Sequence, residues 1–198
     1  METLVRGGIG ALAVLSSLLC IGPAVAEKPP PGTSLRHFTR VTDGILAGSK
    51  PTRDADFIFL KSQGVRFLLQ PRFLPFLAGY ERSKAKRYGM EYLSVPMNAS
   101  PFAPSEKHVN AALRIMRTKA DKPLYLHCVL GRDRTSLLVG LYMIYFEGAS
   151  KEQAYAEMKA EGFRTVFFVH GLKAYFDKHT KLPPELADLA VSEAPHSN

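Results

Sequence analysis

Cysteine is nearly absent from this 198-residue chain, occurring only as Cys20 and Cys128. Two thiols cannot build the disulfide framework on which many small exported domains rely. No apolar run reaches the roughly 20 residues needed to cross a bilayer as a helix. No internal repeat is present, and the basic residues are not interleaved with the aromatic pattern of a nucleic-acid stacking surface. Aspartate is missing from the whole stretch 95–105, VPMNASPFAPS, an absence that bears on the chemistry below.

What is present describes one globular domain. Hydrophobic residues make up 46% and charged residues 22%, an ordinary balance for a folded chain of this length. The formal net charge of +8 points to acidic partners such as phosphates. The N-terminus reads as a secretory signal peptide over residues 1–26. Arg6 supplies the positive start, Ile9 to Ile21 the apolar stretch, and Ala24-Val25-Ala26 the small-residue cleavage site. Leu19 is bulky where a lipid-anchored Cys20 would need a small neighbour, so a periplasmic or secreted chain with no stable membrane anchor is expected. Cleavage removes Cys20 and leaves Cys128 alone, either as a small buried hydrophobe or as a reactive thiol.

Residues 27–35 form a proline-rich, extended leader, 36–180 the domain, and 181–198 a C-terminal tail that frays at its end. A short strand is expected near 45–47, closed by the turn GSKPT, with Thr52 capping a helix that runs to about Gln63. VRFLLQ (65–70), MEYLSV (90–95) and PLYLHC (123–128) read as strands. Helices are expected over about 77–88, 105–119, 134–147, 150–161 and 166–179, the fourth opened by a Ser150/Gln153 capping box. Strands alternating with helices imply an α/β fold, a mostly parallel sheet flanked by helices. In such sheets ligands bind at the carboxyl ends of the strands.

The segment LYLHCVLGRDRT (124–135) lies there, between a strand and a helix. Val129 to Asp133 must turn tightly, with Gly131 free to take positive φ. Such a turn aims successive N–H groups into one concavity, and the helix beginning near Arg134 adds unpaired donors and its dipole. This is an anion cradle. Helix N-termini and neighbouring cations also favour the thiolate of Cys128. Arg134 can fold its fork back over the cradle and hold two phosphate oxygens, and Thr135 can donate to the sulfur. His127 points to the opposite face of its strand and is expected to brace the loop.

HCVLGRDRT resembles the His-Cys-x5-Arg-Ser/Thr signature of the protein tyrosine phosphatase superfamily, dual-specificity phosphatases included. VTDGILAGSKPT, GVRFLLQPR and GMEYLSVPM are similar to the opening and sheet segments of its small members, so the likeness extends over about 36–180. The resemblance implies a catalytic loop in which Cys128 attacks phosphorus, Arg134 stabilises the transferred group and water then releases phosphate, with no metal or cofactor. The family's usual acid is an aspartate on the loop that 95–105 should supply, and Asn98 cannot replace it. Asp133 is the alternative, since DRT resembles the ending seen in myotubularin- and Sac-type lipid phosphatases. Otherwise it is a carboxylate that merely complements the helix dipole.

Val129, Leu130, Gly131, Arg132 and Thr135 are expected to line the substrate site, with Arg72 and Lys50 joining from other strand ends. The run Arg82, Lys84, Lys86 and Arg87 is expected to be a solvated helix face. A basic mouth on an exported chain resembles bacterial phosphatase-like phytases and makes inositol polyphosphates the leading substrate. A phosphotyrosine or dual-specificity protein phosphatase is the alternative. A rhodanese-type sulfurtransferase has a shorter loop; intact Cys128 and Arg134 argue against an inactive phosphate-binding module, while the missing loop aspartate argues for one. Nucleic acid is not an expected partner.

Overall fold

The computed structural model describes residues 28–72, 74, 78–98, 102–165 and 170–190. The expected signal peptide, the terminal segment 191–198 and residues 166–169 at the expected start of the last helix lie outside the described residues. Five strands, β1 (Thr39–Thr42), β2 (Ile45–Ser49), β3 (Phe67–Arg72), β4 (Glu91–Pro96) and β5 (Leu124–Cys128), form one sheet in the order β1-β2-β5-β3-β4. All neighbouring pairs are parallel except β1 and β2. The mixed α/β fold with a mostly parallel, helix-flanked sheet is therefore observed. Strand β1 has no counterpart among the expected strands; it is a four-residue edge strand whose side chains are all only half-buried.

Seven helices are described: α1 (Asp54–Ser62), α2 (Gly79–Arg87), α3 (Glu106–Thr118), α4 (Arg134–Phe146), α5 (Lys151–Ala160), α6 (His170–Lys178) and α7 (Ala187–Ala190). Alternation along the buried strands divides the core in two. Leu124 and Leu126 of β5 face the α3–α6 layer, with Leu113, Leu137, Leu141 and Phe176. Tyr125, between them, faces the α1–α2 layer with Phe57, Leu60 and Ala85. By the same alternation Cys128 belongs to the α4 side, and His127 to the α2 side.

Local capping differs from expectation at α1. Its N-cap is Arg53, not Thr52. Asp56 turns back from the first turn of α1 and accepts from the backbone N–H of Thr52 (2.7 Å) and Arg53 (2.8 Å). The Thr52 hydroxyl instead pairs with Ser34 Oγ at 2.7 Å. A carboxylate accepts more strongly than a hydroxyl, which settles the competition. Asp56 also takes Ser34 N–H (2.6 Å) and Oγ–H (2.5 Å). The leader, expected to be extended, is consequently docked, with a turn closed by Thr33 N–H on the Pro30 carbonyl (3.2 Å). The expected Ser150/Gln153 capping box is present, with both bonds formed. Past residue 180 the chain still contributes to the core: Leu186 is fully buried against the α3–α6 layer, and Asp188 pairs with Arg114 of α3 at 2.7 Å.

Candidate active site

The carboxyl ends of β2, β3 and β5 converge on the 128–135 loop. Cys128 ends β5, buried and free of any disulfide. Gly131 takes φ +77°, and a Cβ there would lie 2.3 Å from the backbone of Gly48 and Ser49. Only glycine fits a turn pressed so closely on the end of β2. Gly48 is constrained in turn, because a Cβ would meet the Tyr125 hydroxyl at 2.5 Å. That hydroxyl donates to the Ser49 carbonyl (2.7 Å), and Lys50 N–H donates to the Val129 carbonyl (3.3 Å). The loop is thus anchored to β2 through backbone on both sides.

Arg134 begins α4 and donates from Nη1 to the Pro71 carbonyl of β3 at 3.3 Å. Asp133 is the N-cap of that helix but makes no side-chain capping bond. Its Oδ2 stands 3.8 Å from Arg132 Nε, and its Oδ1 is buried with no hydrogen-bond partner. The side chains of Arg132, Arg134, Thr135 and Ser136 also carry buried polar atoms without hydrogen-bond partners: Nε of both arginines and the two hydroxyls. Unpaired buried polar atoms call for an explanation, and five clustered within five consecutive residues fit a loop built to receive a polar group. Val129 and Leu130, in contrast, project outward, Val129 being 61% exposed.

The sequence assigned His127 to bracing the loop. It is fully buried, but its partner is on helix α2: Nε2 lies 2.9 Å from Glu81 Oε1. Glu81 also takes Lys50 Nζ at 3.3 Å and Arg72 Nη1 at 3.9 Å, both on Oε2. Lys50 and Arg72 do stand at the strand ends beside the loop, as expected, but they share this buried carboxylate, so their charge is partly offset. Burial pushes the Glu81 carboxyl up, yet His127 and Lys50 outweigh it and hold the group below the ordinary range. Sequence reasoning missed Glu81 entirely. It sits in YERSKAKR, a run that reads as a solvated face, and nothing local marks it. The rest of that run behaves as expected in part: Lys84 pairs with Asp54 at 2.6 Å, and the Arg82 guanidinium lies over the Tyr92 ring at 5.8 Å.

The stretch expected to carry an acid loop supplies none among its described residues. Met97 is buried and donates its N–H to the Arg72 carbonyl (3.0 Å), while Phe102 is exposed; residues 99–101 are outside the described set. Beside the 128–135 loop a cavity of about 180 Å³ is lined by Ser34, Arg36, Ser49, Lys50, Thr52, Val129 and Leu130. No group of three or more metal-ligating side chains occurs among the described residues.

A buried thiol at a strand end, a turn with its glycine on positive φ, and an arginine six residues on at a helix start make up the phosphate-loop pattern of the protein tyrosine phosphatase superfamily. Comparison with known proteins agrees. The family described as "Polymorphic toxin system, DSP-PTPase phosphatase" matches residues 43–149, more than half of the chain, and the protein belongs to that family. Similar curated proteins include two from Arabidopsis thaliana, the phosphatidylglycerophosphate phosphatases PTPMT1 and PTPMT2. PTPMT1 is 27% identical over 155 residues, covering 77% of this chain and 44% of its own length. PTPMT2 is 26% identical over 130 residues, covering 65% and 56%. The chain thus spans about half the length of these relatives. Among solved structures, P. aeruginosa TpbA superposes with a TM-score of 0.63 at 20% identity, over 79% of this chain and 91% of that one. The catalytic core of the S. cerevisiae PP-IP phosphatase Siw14 gives 0.59 at 20% identity, over 72% and 84%. Likeness at these identities shows a shared fold.

Proposed function

We propose that this phosphatase is exported and acts on inositol polyphosphates, releasing phosphate through a phosphocysteine at Cys128. The observation that carries this reading is the gathering of cations at the strand ends. Arg36 and Lys50 line the cavity beside the loop, Arg72 ends β3, and Arg132 and Arg134 lie in the loop itself. Glu81 offsets part of the charge of Lys50 and Arg72, and the remainder suits a substrate with several phosphates. The fold shared with a PP-IP phosphatase is in keeping with it. Export rests on the N-terminal sequence pattern.

In the proposed reaction the Cys128 thiolate attacks phosphorus as the ester oxygen departs. The loop N–H groups and the Arg134 fork hold the three equatorial oxygens, whose charge must be matched in the transition state. Asp133, with its buried and unpartnered Oδ1, protonates the leaving oxygen and then takes a proton from the water that attacks the phosphocysteine. Thr135 donates to the sulfur as it leaves in this second step. Every step uses the chain's own groups and water.

A second reading has its own observation. Val129, Leu130 and Phe102 are exposed apolar side chains, two of them on the loop, and would suit the ring of a phosphotyrosine; TpbA has been crystallised with pTyr. The test is phosphate release by the purified chain, with Cys128→Ser as control and chelator present. Phytate, phosphotyrosine peptides and phosphatidylglycerophosphate in mixed micelles form the panel. Release from phytate well above the others supports the proposal; preference for the peptides or the lipid replaces it.

A further inference from the structure

Buried ionic groups contribute little stability compared with well-packed apolar side chains of the same size. Glu81, whose side chain is 1% exposed, therefore calls for more than a packing role. Its carboxylate reaches the end of each strand that borders the phosphate loop. Lys50 follows β2, and its own N–H holds the Val129 carbonyl of the loop. Arg72 ends β3, next to Pro71, whose carbonyl holds Arg134. His127 precedes Cys128 on β5. Three separate connections to the loop thus pass through one side chain on α2.

We propose that Glu81 is a positioning residue for the phosphatase reaction: it fixes the ring of His127 and the heads of Lys50 and Arg72, and its negative charge limits how strongly these groups favour the Cys128 thiolate. The inference rests on the cysteine-phosphatase reading and is independent of the substrate. Neutral glutamine would keep the shape but remove the charge, leaving Lys50 and Arg72 uncompensated at the strand ends that border the loop. An excess of positive charge favours the thiolate. Tyr92 of β4 and Tyr125 of β5 also feel the Glu81 charge, and the loop that carries Cys128 holds Arg132, Asp133 and Arg134. Tyr92, which donates to Gln70 beside Arg72, is itself pushed up to about 12, first by burial and then by the Glu81 charge.

The test measures alkylation of Cys128 by iodoacetamide against pH, which reads the thiolate without turnover, together with kcat and KM for p-nitrophenyl phosphate. In Glu81→Gln the alkylation midpoint is expected to move to lower pH by about half a unit or more. We expect kcat to fall about tenfold as the loop's supports loosen. Glu81→Asp keeps the charge and should return the midpoint toward the parent value. A midpoint that stays or rises in Glu81→Gln overturns the proposal. So does a change confined to melting temperature, which would leave Glu81 a structural ion-pair partner. If the parent fails to hydrolyse the aryl phosphate but the midpoint moves as expected, the phosphatase reading fails while the electrostatic role of Glu81 stands.

Discussion

Gly131 at φ +77°, pressed on the backbone of Gly48 and Ser49, and Asp133 with an unpartnered Oδ1 are the residues on which the proposed chemistry most depends after Cys128 and Arg134. Alanine at 131 would place its Cβ 2.3 Å from backbone atoms, which cannot rotate away as a side chain can. Gly131→Ala is therefore expected to lower kcat/KM at least a hundredfold, since misplacing a reacting group by about 1 Å costs that much. Melting temperature and activity measured together check it. Asp133→Asn tests the acid. With an alkyl phosphate, whose leaving oxygen needs a proton, kcat should drop by about 10²–10⁴. With an aryl phosphate, a good leaving group, the drop should be much smaller. Equal losses on both would return Asp133 to the role of a helix-dipole carboxylate.

At the scale of elements, the turn after β2 is held from α1. Asp56 is buried and accepts four bonds, from Ser34 N–H and Oγ–H and from the N–H groups of Thr52 and Arg53. Burial raises its carboxyl, but these donors, led by the Arg53 and Ser34 groups, hold it below the ordinary 3.8. A depressed native value means the carboxylate's stabilisation is complete above the ordinary carboxylate range and is lost as pH falls through the native value. Thermal melts from pH 6 down to pH 2 should show a falling limb that flattens in Asp56→Asn. The turn this residue holds carries Lys50, so loosening it should also raise KM for phytate more than for an aryl phosphate. Helix α2 is the other element whose role exceeds its local appearance. It reads as a solvated basic face, yet it inserts Glu81 beneath three strand ends.

For the whole molecule, the sheet divides two apolar layers and presents the loop at its carboxyl edge. The layer under α4 reaches to Leu186, beyond the boundary at 180 that the sequence suggested. Leu186→Ala is expected to cost about 2–5 kcal/mol, the usual range for emptying a fully buried leucine site. Urea unfolding checks it, and a change under 1 kcal/mol would show that this segment docks without supporting the core. Activity should be indifferent to chelators, because every step of the proposed chemistry uses the chain's own groups and water. Loss of activity in EDTA, restored by a divalent cation, would contradict that mechanism.

Local chemistry made much of this legible. A cysteine at a strand end, a glycine three residues on and an arginine six residues on lie within seven consecutive residues, and their geometry follows from one turn. Alternating strands and helices with their turn residues likewise determined the α/β class, the parallel sheet and the side on which the loop opens. What tertiary structure alone decided was which distant groups meet there. Glu81 on α2 was placed against Lys50, Arg72 and His127 by the packing of that helix on the sheet. Asp56 displaced Thr52 as the cap because a leader segment folded back beside it. Edge strand β1 and the docking of Leu186 depend on surfaces that exist only once the sheet has formed. Short-range backbone preference is written residue by residue, whereas the pairing of buried charges is set by burial, which no single segment contains.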